Sequence, residues 1–230
     1  MNRNTQQLGY LSARGIIILT IIYLIVLLLP LVTSQESGWR PAVTSYYRIE
    51  PSGGFLSDFN GSIFYFRTLL IVILFACIHD FTPNLPKIFS TISLIFVALF
   101  AALHTLSFTG QFAIRNFNIN ACDNECLLYY IHSLFDNYIT SVNVMAFNVF
   151  SGLAELFLIP VFSKSNKIEK KIRLALLIAG ILNLLSALMF VLNNESLSVS
   201  CMLFSLIIFI TFLLYYIEVL KRFKSTVNGE

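Results

Sequence analysis

Glu155 is the residue whose position in this sequence most strongly indicates chemistry. It lies near the middle of residues 143–162, NVMAFNVFSGLAELFLIPVF, an apolar stretch long enough to cross a bilayer. On a helix of 3.6 residues per turn, the same face carries Asn148, Ser151 and Gly152. Because an ionisable group at membrane depth costs at least about 2.5–3.5 kcal/mol on insertion scales, we expect this face to point into a helix bundle and to form a functional site.

Other polar residues within apolar stretches extend this candidate site. Its predicted members are Glu155, His104, Asn148, Asn183, Arg67 and Gln111. With the middle of each span taken as the midplane, Asn183 lies at the centre and Glu155 about 3 Å toward the inner side. The side chains of Arg67, His104 and Asn148 lie about 7–9 Å toward the outer side. A carboxylate near a histidine or an arginine is the arrangement expected of a proton-coupled or ion-coupled site.

Structural roles compete with function for most of these residues. Polar side chains such as Asn148 and Asn183 often join helices by hydrogen bonds worth about 0.6 kcal/mol each. His104 is most simply a packed core histidine, and we expect Arg67 to extend toward the outer interface. Glu155 is the exception, because the cost of an intramembrane carboxylate favours a functional role.

The cysteines indicate structure rather than catalysis. Three of them are predicted at the outer face, where Cys201 could form a disulfide with Cys122 or Cys126 in an oxidising compartment. The spacing of Cys122 and Cys126 is not that of a C-x-x-C redox motif, and no histidine pair completes a zinc site. The sequence also lacks a glycine-rich phosphate loop, an H-E-x-x-H helix and a G-x-S-x-G elbow. We therefore expect no catalytic residues of these types, no metal and no cofactor.

The composition places the chain in a membrane. Hydrophobic residues make up 57% of the 230 residues and charged residues only 12%, against about 25% charged in ordinary soluble domains. The net charge of +3 is small, and no basic patch with interleaved aromatic residues indicates nucleic-acid binding. The chain length suits about six spans of roughly 20 residues each.

The pattern of apolar stretches predicts one all-α domain, 1–230, that forms a polytopic transmembrane helix bundle of six spans. The spans are expected at about 15–33, 62–78, 88–114, 143–162, 174–192 and 199–219. Residues 126–142 alternate apolar and polar side chains at helical spacing, which predicts an additional amphipathic helix on the outer side of the membrane.

The distribution of basic residues predicts the orientation. With the N-terminus inside, eleven of the fifteen lysines and arginines fall on the inner side, most of them in the loop 164–173 and in the C-terminal tail. This positive-inside bias indicates a multi-pass protein of the plasma (inner) membrane with both termini in the cytoplasm.

From the third span onward the order of segments resembles that of uncharacterised six-span prokaryotic integral membrane proteins. The shared pattern comprises a polar exit at 104–115, an amphipathic segment, the carboxylate-bearing span 143–162, the basic loop 164–173 and two plain spans. The resemblance implies an architecture and brings no activity with it.

Three functions fit these features. The first is binding or transport of a small solute or ion through the polar interior around Glu155 and His104. The second is a non-catalytic accessory or scaffold role, in which the amphipathic helix and the basic loop contact a partner protein, a second copy of the chain or anionic lipid. The third is an intramembrane enzyme acting on a lipid, which Glu155, His104 and Asp136 could serve but which no motif supports.

Overall fold

Six helices form the part of the protein that the structure describes. The computed structural model describes residues 3–33, 55–84, 86–117 and 141–227, and all regular elements in these ranges are helical. The helices are α1 (Arg3–Thr33), α2 (Phe55–Phe81), α3 (Lys87–Phe117), α4 (Ser141–Val161), α5 (Lys167–Val191) and α6 (Glu195–Val227). Each contains a segment long and apolar enough to cross a membrane. The predicted all-α transmembrane bundle of six spans is confirmed.

The first helix begins earlier than the sequence pattern predicts. It starts at Arg3 rather than near residue 15, and its membrane-compatible segment is Asn4–Val26. The polar residues at its start are helical because they meet the end of α6, where Gln6 Nε2 donates a hydrogen bond of 2.7 Å to the Leu220 carbonyl. This contact places the N-terminal end of α1 and the C-terminal end of α6 on the same side of the bundle. The predicted amphipathic helix 126–142 lies almost entirely outside the described residues and stays a prediction.

Local sequence signals explain where the helices stop and start. At the start of α5, the side chain of Asn166 accepts a hydrogen bond from the Ile168 N–H (3.0 Å), which satisfies a free donor of the first turn. At its end, Asn193 adopts a positive φ of 56°. The Asn194 N–H reaches back to the Met189 carbonyl (2.9 Å), which closes the helix as in a Schellman motif.

The six helices pack as a closed ring in the order of the sequence. Each helix contacts the next one along the chain, and α6 returns to α1. Hydroxyl groups join adjacent members, as where Ser186 of α5 donates to the Ser198 carbonyl of α6 (2.7 Å). Large apolar side chains such as Leu174, Ile181 and Leu188 are more than half exposed on the outside. An apolar exterior around a partly polar interior is the arrangement that a lipid environment requires.

Candidate functional site

Asn183 of α5 and Glu155 of α4 meet inside the bundle. Asn183 Nδ2 donates to Glu155 Oε2 at 3.1 Å and lies 3.3 Å from the Ser151 hydroxyl oxygen. Glu155 is 4% exposed and Asn183 is 2% exposed. The polar face of α4 therefore points into the ring and has a polar partner on the neighbouring helix.

Two glycines let α4 and α5 approach closely enough for this contact. A Cβ atom on Gly152 would lie 3.0 Å from the Gly180 carbonyl oxygen and 3.1 Å from the Asn183 Cβ. A Cβ atom on Gly180 would lie 2.7 Å from Leu156 Cγ and 2.9 Å from the Gly152 carbonyl oxygen. Small residues at facing positions allow such a close crossing of membrane helices.

A small cavity lies beside Glu155 at the centre of the ring. Helices α2 to α6 all contribute to its wall, and its polar lining consists of Arg67, Ser151, Glu155, Asn183 and Ser205. Its free space of about 20 Å³ is enough for one or two waters, because about 10–15 Å³ by the same measure admits one water. The site is therefore sized for a water molecule or an ion in this conformation.

Arg67 belongs to the cavity and does not extend toward the membrane interface, contrary to the expectation from sequence. It is 3% exposed, and its guanidinium carbon lies 4.8 Å from the centre of the Phe64 ring and 5.6 Å from that of Phe147. The faces of these rings attract the cation. Arg67 and Glu155 line the same cavity, which brings a cationic group and an ionisable carboxyl group into one polar site.

His104 lies beyond an aromatic layer and does not line the cavity. We call the rings of Phe64, Phe100 and Phe147 the first aromatic layer. Its rings contact one another, and the His104 ring packs against Phe64 with 4.3 Å between centroids. His104 Nδ1 lies 2.8 Å from Asn143 Oδ1, and its Nε2 has no hydrogen-bond partner among the residues that the structure describes.

A second aromatic layer lies on the opposite side of the cavity. Its members are Phe162, Phe209, Phe212 and Tyr216. The rings of Phe209 and Phe212 are 5.3 Å apart, and Phe209 also lines the cavity. The polar cavity therefore has aromatic side chains at both ends along the bundle axis, Phe100 and Phe147 at one end and Phe209 at the other.

Asn148 is buried at 1% exposure but does not line the cavity, although the sequence places it on the face of Glu155. The reason is that Met145–Phe150 is a π-helix, which contains more residues per turn than an α-helix. Neither Oδ1 nor Nδ2 of Asn148 has a hydrogen-bond partner within the described ranges.

Most of the remaining predicted residues lie at or beyond the limits of the described structure. Gln111 belongs to α3, but its side chain is outside the described residues, as are Cys122 and Cys126. Cys201 is a buried free thiol in the described part of the chain. The outer disulfide therefore stays a prediction.

Ser205 and Phe147 are among the cavity residues that were not identified from the sequence. Ser205 of α6 lines the cavity and donates to the Ala179 carbonyl of α5 (3.1 Å). A serine inside an apolar span was the available signal, whereas Phe147 gave no signal because an aromatic residue in such a span is ordinary. No group of three or more His, Cys, Asp or Glu side chains placed for a metal ion occurs in the described ranges.

The arrangement offers a carboxyl group, a guanidinium, an amide and hydroxyl groups to a ligand of about the size of water. It can bind such a ligand or exchange a proton with it. Compared with protein-family models, with curated proteins and with solved structures, the chain gives no match. The resemblance to six-span prokaryotic membrane proteins therefore stays a prediction.

Proposed function

We propose that this protein binds a small solute or ion in the cavity beside Glu155 and carries it across the membrane. The observation that supports the proposal best is the burial of Glu155 and Arg67 around one cavity in the middle of a ring of apolar helices. Ionisable residues inside membrane spans are costly, and those that face a bundle interior or a water-filled cavity mark substrate and ion pathways.

The size of the cavity favours a small ligand, such as a water molecule or an ion without most of its hydration shell. A larger solute would require the helices to separate, because the free space is only about 20 Å³. The polar lining provides oxygen atoms from Ser151, Glu155 and Ser205 to a cation or proton, while the Arg67 guanidinium provides donors to an anion. Which of these binds depends on the protonation state of Glu155.

Passage requires the two aromatic layers to open in turn. In the described conformation, the first layer separates the cavity from His104 and Asn143, and the second layer separates it from the other end of the bundle. In this proposal a ligand that enters from the first end passes the His104–Asn143 pair before it reaches Glu155. A conformation with both layers closed is the occluded state of such a cycle.

The proposed location is the plasma (inner) membrane, with both termini in the cytoplasm. The basic loop 164–173 and the C-terminal end of α6 then face the cytoplasm, in agreement with the positive-inside rule. Fluorescent and alkaline phosphatase reporters fused to the C-terminus test this orientation. We expect fluorescence and no phosphatase activity, and the reverse pattern would refute the assignment.

Flux measurements in vesicles test the transport proposal. Purified protein is reconstituted into vesicles of phosphatidylethanolamine and phosphatidylglycerol, and a pH gradient or a sodium, potassium or chloride gradient is imposed. We expect flux of at least one of these ions above that of protein-free vesicles, and its loss in Glu155→Gln. The matched control is Glu218→Gln, because this carboxylate is 46% exposed, pairs with Arg222 on the same helix and lies outside the cavity.

Two outcomes would oppose the proposal. Flux that is equal in the wild type and in Glu155→Gln removes Glu155 from the pathway. Vesicles that remain impermeable to all four ions, with protein that is shown to be folded, would favour the accessory or scaffold role, in which the buried polar residues only hold helices together.

A further inference from the structure

The π-helix in α4 determines which side chains reach the cavity. Counting back along an unbroken α-helix, a residue seven positions before Glu155 lies on nearly the same face, and this residue is Asn148. The π-helical turn at Met145–Phe150 accommodates one additional residue. Residues before Met145 are therefore displaced by one position and those within the turn by part of one, so that Phe147 turns toward the place that an α-helix would give to Asn148.

The contacts of the two side chains agree with this displacement. Phe147 lines the cavity and belongs to the first aromatic layer, where its ring lies 5.4 Å from that of Phe64. Asn148 is absent from the cavity wall, and its amide has no hydrogen-bond partner within the part of the chain that the structure describes. A buried amide without partners is unfavourable. The π-helical conformation therefore carries a cost that an α-helical one would relieve, because it would bring Asn148 to the polar cavity.

We propose that Met145–Phe150 converts between π-helix and α-helix, and that the conversion exchanges Phe147 for Asn148 at the cavity wall. The exchange withdraws one ring of the first aromatic layer and opens the cavity toward His104. It also makes Asn148 a ligand-contacting residue, whose amide supplies either a donor or an acceptor. The role of Asn148 toward a ligand rests on the proposed transport function, whereas the exchange itself is a property of the helix.

The Asn143–His104 contact couples this exchange to the entrance. In the π-helical conformation, Asn143 Oδ1 lies 2.8 Å from His104 Nδ1. Conversion to an α-helix brings Val144 to the position of Asn143, and valine cannot replace this hydrogen bond. The closed conformation is thus held by the His104–Asn143 bond at one end and by the Phe147 ring at the other.

Two single-residue deletions test whether placing Asn148 rather than Phe147 at the cavity wall opens the cavity. Each deletion removes the additional residue of the π-helix. Deletion of Phe147 gives an α-helix with Asn148 at the cavity wall, whereas deletion of Val149 gives an α-helix that keeps Phe147 there. Both leave Asn143 eleven residues before Glu155, so its position relative to His104 is the same in the two variants. They differ at two neighbouring positions: the cavity wall carries Asn148 in one variant and Phe147 in the other, and the next residue is Val149 in the first and Asn148 in the second.

A cysteine on another helix reports the opening. Ser205→Cys is introduced on α6, where it lines the cavity, after the native residues Cys77, Cys122, Cys126 and Cys201 are replaced by alanine. The rate of modification by a charged, water-soluble methanethiosulfonate reagent is measured on purified, monodisperse protein. We expect modification about tenfold or more faster in the Phe147 deletion than in the Val149 deletion, which corresponds to about 1.4 kcal/mol in the opening equilibrium. Equal rates in the two deletion variants would overturn the proposal.

A substitution that leaves the chain length unchanged tests the same exchange if a deletion variant does not fold. Asn148→Leu removes the unfavourable buried amide from the closed conformation and places an apolar side chain in the polar cavity of the open one. We expect it to raise the thermal stability and to slow modification of Ser205→Cys by about tenfold. An unchanged rate would overturn the proposal.

These results are independent of transport. The expected modification rates together with an absence of flux would retain the helix exchange and refute the transport function. Flux that depends on Glu155 together with equal modification rates would retain the transport function and refute the helix exchange.

Discussion

Asn183 Nδ2 and Glu155 Oε2 lie 3.1 Å apart and join α5 to α4 inside the ring of helices. The contact satisfies one carboxylate oxygen where no bulk water is available, and it forms because Gly152 and Gly180 allow the two helices to approach. The packing of α4 against α5 and the geometry of the candidate site therefore depend on the same helix crossing.

Asn183→Leu is expected to destabilise the protein, because it leaves the buried Glu155 carboxyl without this donor. We expect a loss of about 1–3 kcal/mol in the free energy of unfolding, measured by denaturant titration in detergent micelles. A double-mutant cycle with Glu155→Leu should give a coupling energy of about 0.5–2 kcal/mol. Strictly additive effects would show that the two side chains do not support each other.

Gly180→Ala is expected to push α4 and α5 apart, because the new Cβ would lie 2.9 Å from the backbone oxygen of Gly152 and 2.7 Å from Leu156 Cγ. The expected loss of stability is about 1–3 kcal/mol. The matched control is Gly15→Ala, whose Cβ would meet the end of the flexible Leu70 side chain at 2.7 Å. If thermal unfolding shows equal losses for both variants, the close crossing is not what makes Gly180 necessary.

Arg67 is expected to balance the charge of Glu155. Arg67→Met should lower the melting temperature in detergent more than Arg67→Lys, because lysine keeps the charge and loses only the planar contact with Phe64 and Phe147. Adding Glu155→Gln to Arg67→Met should restore part of the stability, since it removes the charge that is left alone in the cavity. If the second substitution causes a further loss, the two charges do not compensate each other.

Arg173→Met is expected to loosen the end of α4. The α-helical part of α4 ends at Leu158 and continues as a 3-10 turn through Pro160, and Arg173 donates to the carbonyls of Ile159 (3.0 Å) and Phe162 (2.9 Å). Removing these donors should cost about 1–3 kcal/mol of stability. It should also increase amide hydrogen exchange at residues 158–162. The control is Lys170→Met on the exposed surface, which should change neither quantity, and equal exchange in the two variants would contradict this role.

The number of spans could be predicted from the sequence, because it follows from the length of the apolar segments. The constant rise per residue predicted Asn183 and Glu155 at depths within about 3 Å of each other, and the structure shows that their side chains are in contact. It could not show that α4 and α5 are neighbours, since that depends on the packing at two glycines.

Only the tertiary structure decided which side chains reach the cavity. The helical period predicted Asn148 beside Glu155, but one π-helical turn replaces it with Phe147, because the hydrogen-bonding register of a helix depends on its neighbours as well as on its own residues. Arg67 was expected at the membrane interface, and it is instead held inside by aromatic rings from α2 and α4 and by the shared cavity with Glu155. Composition and period thus determine what enters the membrane, whereas the packing of helices on one another determines which polar groups meet there.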